Sequence, residues 1–287
     1  MPNNDLELYQ QLKSYAIYRI EFLNGTGGSV TADIRTIENY FAALGRHSDV
    51  RKWKPMAKLL SVLRKVYPAK SQAKRPFSIS ELSVIYNIIQ PKSFDSLIIR
   101  SLLAFAIGGA LRASEYTCPV KKPTIAQQMN MVRLDRVTEF TDSNGKPALV
   151  YFFFRSKTNQ SWKAEFAVMP CMCDLDLPCA VHEVARLKQY LKDEEPNSAL
   201  FTWSNGSYVT YRDALHVFKK VVELTGADPK SIGTHSARKT RIMIGLKQGL
   251  PQQILVLIGR WSCFESIRPY LDMSPQDLNE LLAKEFE

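Results

Sequence analysis

Residues 68–77, PAKSQAKRPF, hold two Pro, three basic residues and no acid, and they divide the chain more firmly than any other stretch. With helix breakers near both ends and little apolar content, the segment cannot continue a helix or join a core, so it reads as a linker. A chain of 287 residues also stands at the size where a single core stops growing. The expected organisation is a domain over 1–67, a basic linker over 68–77 and a larger domain over 78–287.

The first domain reads as helical. Leu8, Leu12, Ala16, Ile20 and Leu23 keep a helical period up to a Gly-rich break, Asn24 to Gly28. Thr31 is the expected cap of a second helix carrying Ile34, Ile37, Phe41 and Leu44, closed by Gly45. A third follows Pro55, with Met56, Leu59, Leu60, Leu63 and Val66 at three- and four-residue spacing. Past the linker, Ser78 and Glu81 form a capping-box pattern that opens a helix around 79–90, with another over 94–107. A β region follows over 136–141, 149–155 and 162–169, and Asn144-Gly145 marks a hairpin turn between the first two runs. After Cys179 the pattern is helical again, around 180–192, 210–225, 236–249, 251–258, 263–271 and 275–285. The expected fold class is mainly α with one small antiparallel β-sheet (α+β).

Charge narrows the class of partner. The formal net charge is +10, and it is unevenly placed: −2 over residues 1–45, +9 over 46–75 and +3 over 76–287. That balance suits a polyanion, either nucleic acid or an acidic membrane surface, and charge alone does not choose between them. Beside the phosphodiester-cleaving signature that the second domain resembles, described below, Arg51, Lys52, Lys54, Lys58, Arg64, Lys65, Lys70, Lys74 and Arg75 become the expected contacts to a DNA backbone, positioning a duplex without reading its sequence. The longest uncharged apolar stretch, 101–111, is far shorter than the ~20 residues that span a bilayer. No amphipathic anchor supports a membrane surface. The opening MPNNDLELYQ has neither the basic nor the apolar region of a secretory signal, so an intracellular, DNA-associated protein is expected, nuclear if the host is eukaryotic. AKSQAKRP is then the candidate import signal.

Three stretches of the second domain carry chemistry. Gly108-Gly109-Ala110-Leu111-Arg112 places an Arg just past a tight turn, with Glu115 close behind. His235 and Arg238 stand one helical turn apart, and Trp261 precedes Tyr270 by nine residues. Lys157 lies at the tip between the second and third β runs, with Lys163 as an alternative in the strand. Taken singly, each is an ordinary helix-end charge, solvated face or core aromatic. In this order and spacing the set resembles the tyrosine recombinases, the phage-integrase family, over residues 78–287. The resemblance implies that Arg112, Lys157, His235, Arg238, Trp261 and Tyr270 are catalytic, with Glu115 a supporting carboxylate or a plain helix-start acid. It implies a helical core-binding domain before the linker and a catalytic domain after it. It also implies a site-specific enzyme that breaks and rejoins double-stranded DNA through a 3′-phosphotyrosyl ester, without a catalytic cofactor. Gly259-Arg260-Trp261-Ser262 looks most like recombinases of eukaryotic mobile elements, the crypton and DIRS-like groups.

The residue chemistry agrees. Two guanidiniums neutralise charge on a phosphoryl group with fixed donors at any working pH. A Lys can protonate the leaving oxygen, and an imidazole of pKa ~6.5 can share the phenol proton. Trp261 stands where many relatives have His, and its indole N–H can donate a hydrogen bond but cannot transfer a proton.

Five Cys in a chain without a signal argue for free thiols or a metal site. Cys171, Cys173, Cys179 and His182 form C-x-C-x5-C-x2-H, either a structural zinc knuckle or a loop with small thiols. The tail from Leu271 to Glu287 carries an apolar stripe, Leu278, Leu281, Leu282 and Phe286. The resemblance implies that this helix docks on a neighbouring protomer in a dimer or tetramer on DNA; a cap on its own domain is the alternative. Two other functions share the pattern: type IB topoisomerase-like strand passage, and a DNA-binding regulator without activity.

Overall fold

The computed structural model describes residues 3–44, 50–67, 74–124, 128, 131–153, 165–175 and 177–261. The chain divides into two compact units, 1–72 and 73–287.

The first unit packs three helices: α1 (Asn3–Glu21), α2 (Gly27–Ala43) and α3 (Lys54–Val66). Leu12, Ala16 and Ile20 meet Val30 and Ile34 of α2 and Met56, Leu60 and Leu63 of α3 in one small core. α2 begins earlier than expected. Its cap is Thr26, whose side chain accepts from the Ser29 N–H while the Ser29 hydroxyl accepts from the Thr26 N–H. Thr31 instead donates its hydroxyl back to the Gly27 carbonyl within the first turn. Gly27 and Gly28, the end of the expected break, are therefore inside the helix, while Gly25 stays outside it. A side chain at Gly27 would overlap the backbone of Leu63 and Arg64, so glycine lets α2 and α3 approach closely.

The second unit is built around a buried helix. After α4 (Ile79–Ile88) comes α5 (Phe94–Gly108), buried at almost every position from Leu97 on, then the short α6 (Ala113–Tyr116). Strands β1 (Val137–Thr141), β2 (Pro147–Phe153) and β3 (Glu165–Pro170) form an antiparallel sheet in sequence order, with Val137 opposite Tyr151 and Tyr151 opposite Ala167. Gly145, at φ 76°, supplies the left-handed residue of the β1–β2 turn. Four helices follow: α7 (Ala180–Tyr190), α8 (Tyr211–Glu223), α9 (Ser236–Lys247) and α10 (Gln252–Gly259). The protein is thus mainly helical with one small antiparallel sheet. The expected helices over 263–271 and 275–285 lie outside the described residues.

Two polar clusters fix this core. Glu183 of α7, 2% exposed, takes both Nε and Nη2 of Arg100 on α5, while Arg100 donates Nη1 to the carbonyls of Tyr86 and Ile89 and stacks on the Tyr86 ring. The expected box at Ser78 and Glu81 caps α4. Glu81 also receives both terminal nitrogens of Arg75 at 2.7 and 2.6 Å. Arg75 further donates to the Ser231 hydroxyl, and Lys74 Nζ to the Lys230 carbonyl. Residues 74–77, read from composition as the end of the linker, are therefore strapped across the turn that precedes α9. Phe77 completes the strap through its N–H to Thr240 Oγ1.

Candidate active site

α5 ends in a left-handed turn. The Ala110 N–H bonds to the Ile107 carbonyl and the Leu111 N–H to that of Ala106, with Ala110 at φ 46°. This double bond pattern reverses the chain where glycine is the usual residue. The preceding glycines allow close packing: a Cβ at Gly108 would lie 3.0 Å from Ala180 Cβ, and one at Gly109 would lie 2.7 Å from Met169 Cε. The turn delivers Arg112 to the N-cap of α6. There Glu115, 1% exposed, accepts the Arg112 N–H and its Nη1 at 2.8 Å each. Beneath it the Tyr151 hydroxyl donates to the Glu115 carbonyl oxygen, and burial pushes that phenol's pKa up.

α10 ends the same way. Arg260 sits at φ 50°, its N–H bonding to Leu257 and the Trp261 N–H to Val256. Of the three non-glycine residues with positive φ among those described, two are Ala110 and Arg260, and the Arg260 side chain meets the Ala110 carbonyl. Arg260 donates Nη1 to the Gly109 carbonyl at 2.9 Å and Nη2 to that of Ala110 at 3.2 Å, and places Nη2 2.7 Å from Glu115 Oε2. Its guanidinium also lies 5.3 Å from the Phe153 ring centre. One buried carboxylate thus joins two arginines from helix ends far apart in sequence. Arg260 was visible only as part of a string, with no role; its role depends on two helix ends meeting in space.

α9 supplies the other half. His235 caps it and is exposed, and Arg238 one turn on is fully buried. Arg238 donates Nη2 to the Gly259 carbonyl, and its guanidinium lies 4.9 Å from the Trp261 ring centre. Gly259 is fixed by that packing, since a side chain there would enter the Trp261 ring. Arg241, a further turn along, is 4% exposed, and burial lowers its pKa. Its Nε and Nη1 meet no hydrogen-bond partner among the described residues.

The structure therefore brings together Arg112, Glu115, Arg238 and Trp261 through Gly259 and Arg260, with His235 one turn from Arg238. Lys157, Lys163 and Tyr270 lie outside the described residues, as does Lys70. Phe153, beside Arg260, is the last described residue before 154–164. In the first unit Lys52, Lys54, Lys58, Arg64 and Lys65 are exposed, whereas Arg51 pairs with the buried Glu38. Arg75 and Lys74 are engaged in the strap described above. Cys171, Cys173, Cys179 and His182 converge where β3 leads into α7.

No known protein-family model and no curated protein matches the sequence. Solved structures do match. The Tn1549 transposon integrase in complex with transposon right end DNA is similar at a TM-score of 0.58 and 15% identity, covering 96% of this chain and 84% of that one. XerA recombinase is similar at 0.52 and 13%, covering 99% and 93%. A lambda integrase dimer bound to a COC′ core site is similar at 0.50 and 12%, covering 95% and 89%. The fold of this protein is that of the tyrosine recombinases.

Proposed function

We propose that the protein is a site-specific DNA recombinase or integrase that cuts and rejoins duplex DNA, serving a mobile element. The observation that carries this reading is the cluster of Arg112, Arg238 and Trp261 around Glu115, Gly259 and Arg260. Cationic donors fixed by burial before substrate arrives stabilise a phosphoryl transition state without reorganising. In this reading Arg112 and Arg238 hold the non-bridging oxygens of one phosphate, and the Trp261 N–H donates to one of them. Tyr270 Oη attacks phosphorus and the bond to the 5′-oxygen breaks. The phenol proton passes to His235, and Lys157 protonates the leaving oxygen. The phosphotyrosyl ester keeps the phosphodiester's energy, so attack by a 5′-hydroxyl reverses the step.

Double-stranded DNA as substrate is supported by the neighbours solved on DNA and by the exposed cations of α3. No helix among the described residues is long and apolar enough to cross a membrane. Assembly as a dimer or tetramer on DNA through the C-terminal segment is part of the same proposal. The test uses a pool of nicked suicide duplexes, with covalent adducts resolved on denaturing gels. Wild type should form an adduct, and Arg112→Ala and Arg238→Ala should each reduce it at least a hundredfold at unchanged fold. Undiminished adduct in both variants would overturn the reading.

A further inference from the structure

We propose that Cys171, Cys173, Cys179 and His182 bind one structural zinc ion that locks the exit of β3 to the first turn of α7. The three Sγ atoms and one ring nitrogen of His182 all lie within 4.8 Å of one another. Cys171 Sγ stands 3.6 Å from Cys179 Sγ, and His182 Nδ1 stands 3.0 Å from Cys173 Sγ and 4.0 Å from Cys171 Sγ. Zinc–sulfur bonds of about 2.3 Å and zinc–nitrogen bonds of about 2.0 Å give tetrahedral edges of roughly 3.5–3.8 Å. The observed separations straddle that range, so sub-ångström shifts would seat the ion.

The placement comes from rigid elements. Pro170 ends β3, and the Cys171 N–H is held by the Pro147 carbonyl. Cys173 opens a short 3-10 turn, over which Asp174 pairs with Lys146 at 2.6 Å. Cys179 caps α7, and His182 lies three residues on, on the same face. Thiolates with an imidazole select zinc over magnesium or calcium. Four protein ligands close the tetrahedron, which makes the site structural. A disulfide is the lesser use of the cluster: it would need the sulfurs at about 2.05 Å and would strand a third thiol and the imidazole. Three thiolates and zinc carry a net −1, and Arg100 and Arg186 line the same surface pocket as Cys173, Cys179 and His182.

The ion would also bear on Arg112. Met169 of β3 and Ala180 of α7 are the side chains that press on Gly108 and Gly109, the turn that aims Arg112. The cluster joins these two elements within two residues of each contact, so the metal would hold the base of that turn. This does not depend on the recombinase reading, and its test needs no DNA.

The experiment is metal analysis of the full chain, produced without added zinc and purified without a metal resin. We expect one zinc per chain in wild type and in Cys118→Ser, and loss of most of it in Cys173→Ser and in His182→Ala. Replacement by cobalt should give the visible absorption of a tetrahedral thiolate site. Chelation should lower the melting temperature by several degrees, restored by zinc and not by magnesium. Folded wild type without stoichiometric zinc or cobalt uptake, zinc retained in both variants, or a native Cys171–Cys179 disulfide would each overturn the proposal.

Discussion

Arg260→Ala is expected to damage both stability and chemistry. The wild-type guanidinium, 12% exposed, makes a 2.7 Å ion pair to the fully buried Glu115 carboxylate and bonds to two carbonyls of the α5 terminal turn. Removing it leaves Glu115 with Arg112 as its remaining arginine and frees two turn carbonyls in a part-buried setting. Losing one partner of a buried ion pair costs about 3–5 kcal/mol; the surviving Arg112 contact puts this case at roughly 3. For a unit of this size that is a fall of about 6–12 °C in melting temperature. Arg260→Lys keeps the charge but cannot reach the carboxylate and both carbonyls at once, so it should fall in between. Thermal unfolding by circular dichroism gives the first number. A double-mutant cycle with Glu115→Gln gives the second, a coupling of about 1–3 kcal/mol. Because Arg112 shares the carboxylate, adduct formation on suicide duplexes should fall well beyond the loss of folded protein. A melting temperature within 2 °C of wild type, with no coupling to Glu115, would refute the reasoning.

Gly259→Ala drives a methyl into the Trp261 ring, so it should cut adduct formation at least tenfold at 25 °C while the protein stays folded by circular dichroism. Gly27→Ala overlaps the α3 backbone and should cost the first unit about 1–3 kcal/mol, read as a lower first transition in calorimetry; an unchanged transition would contradict the close approach. Burial by itself raises the Glu81 pKa, but Arg75 and the Ser78 N–H outweigh it and hold the carboxyl below its ordinary value. The stability it adds is then present above the unfolded pKa of about 4.3 and is lost as pH falls through the folded value. Glu81→Gln should therefore narrow its deficit to wild type as pH drops from 6 toward 3, and a deficit constant across that range would sink the assignment.

What the sequence made legible was mostly local. The Ser78–Glu81 box spans four residues, and the structure caps α4 with it. Arg112, His235, Arg238 and Trp261 stand out by spacing, and burial of α5 follows from its apolar run. What local pattern does not show is which residue elsewhere in the chain a side chain meets. The sequence places the cap of α2 at Thr31, past the glycines, yet Gly27 lies within the helix against the backbone of α3, which begins 27 residues later. Arg75 counts toward the basic charge of the linker, and the structure pairs it with Glu81 and with Ser231, the latter 156 positions away. Arg51 likewise pairs with Glu38. A tally of basic residues measures net field and is blind to which cations are already paired. Arg260 shows the converse: its bonds to Gly109 and Ala110 cross about 150 positions, and no helical period or spacing encodes them.

The most direct test of the central claim is to digest the purified covalent adduct and identify the peptide that carries nucleotide. The account predicts a 3′-phosphoryl nucleotide on Tyr270, and no adduct from Tyr270→Phe protein that melts as wild type does. Nucleotide on any other residue, linkage through a 5′-phosphate, or adduct surviving in the Phe variant would contradict it.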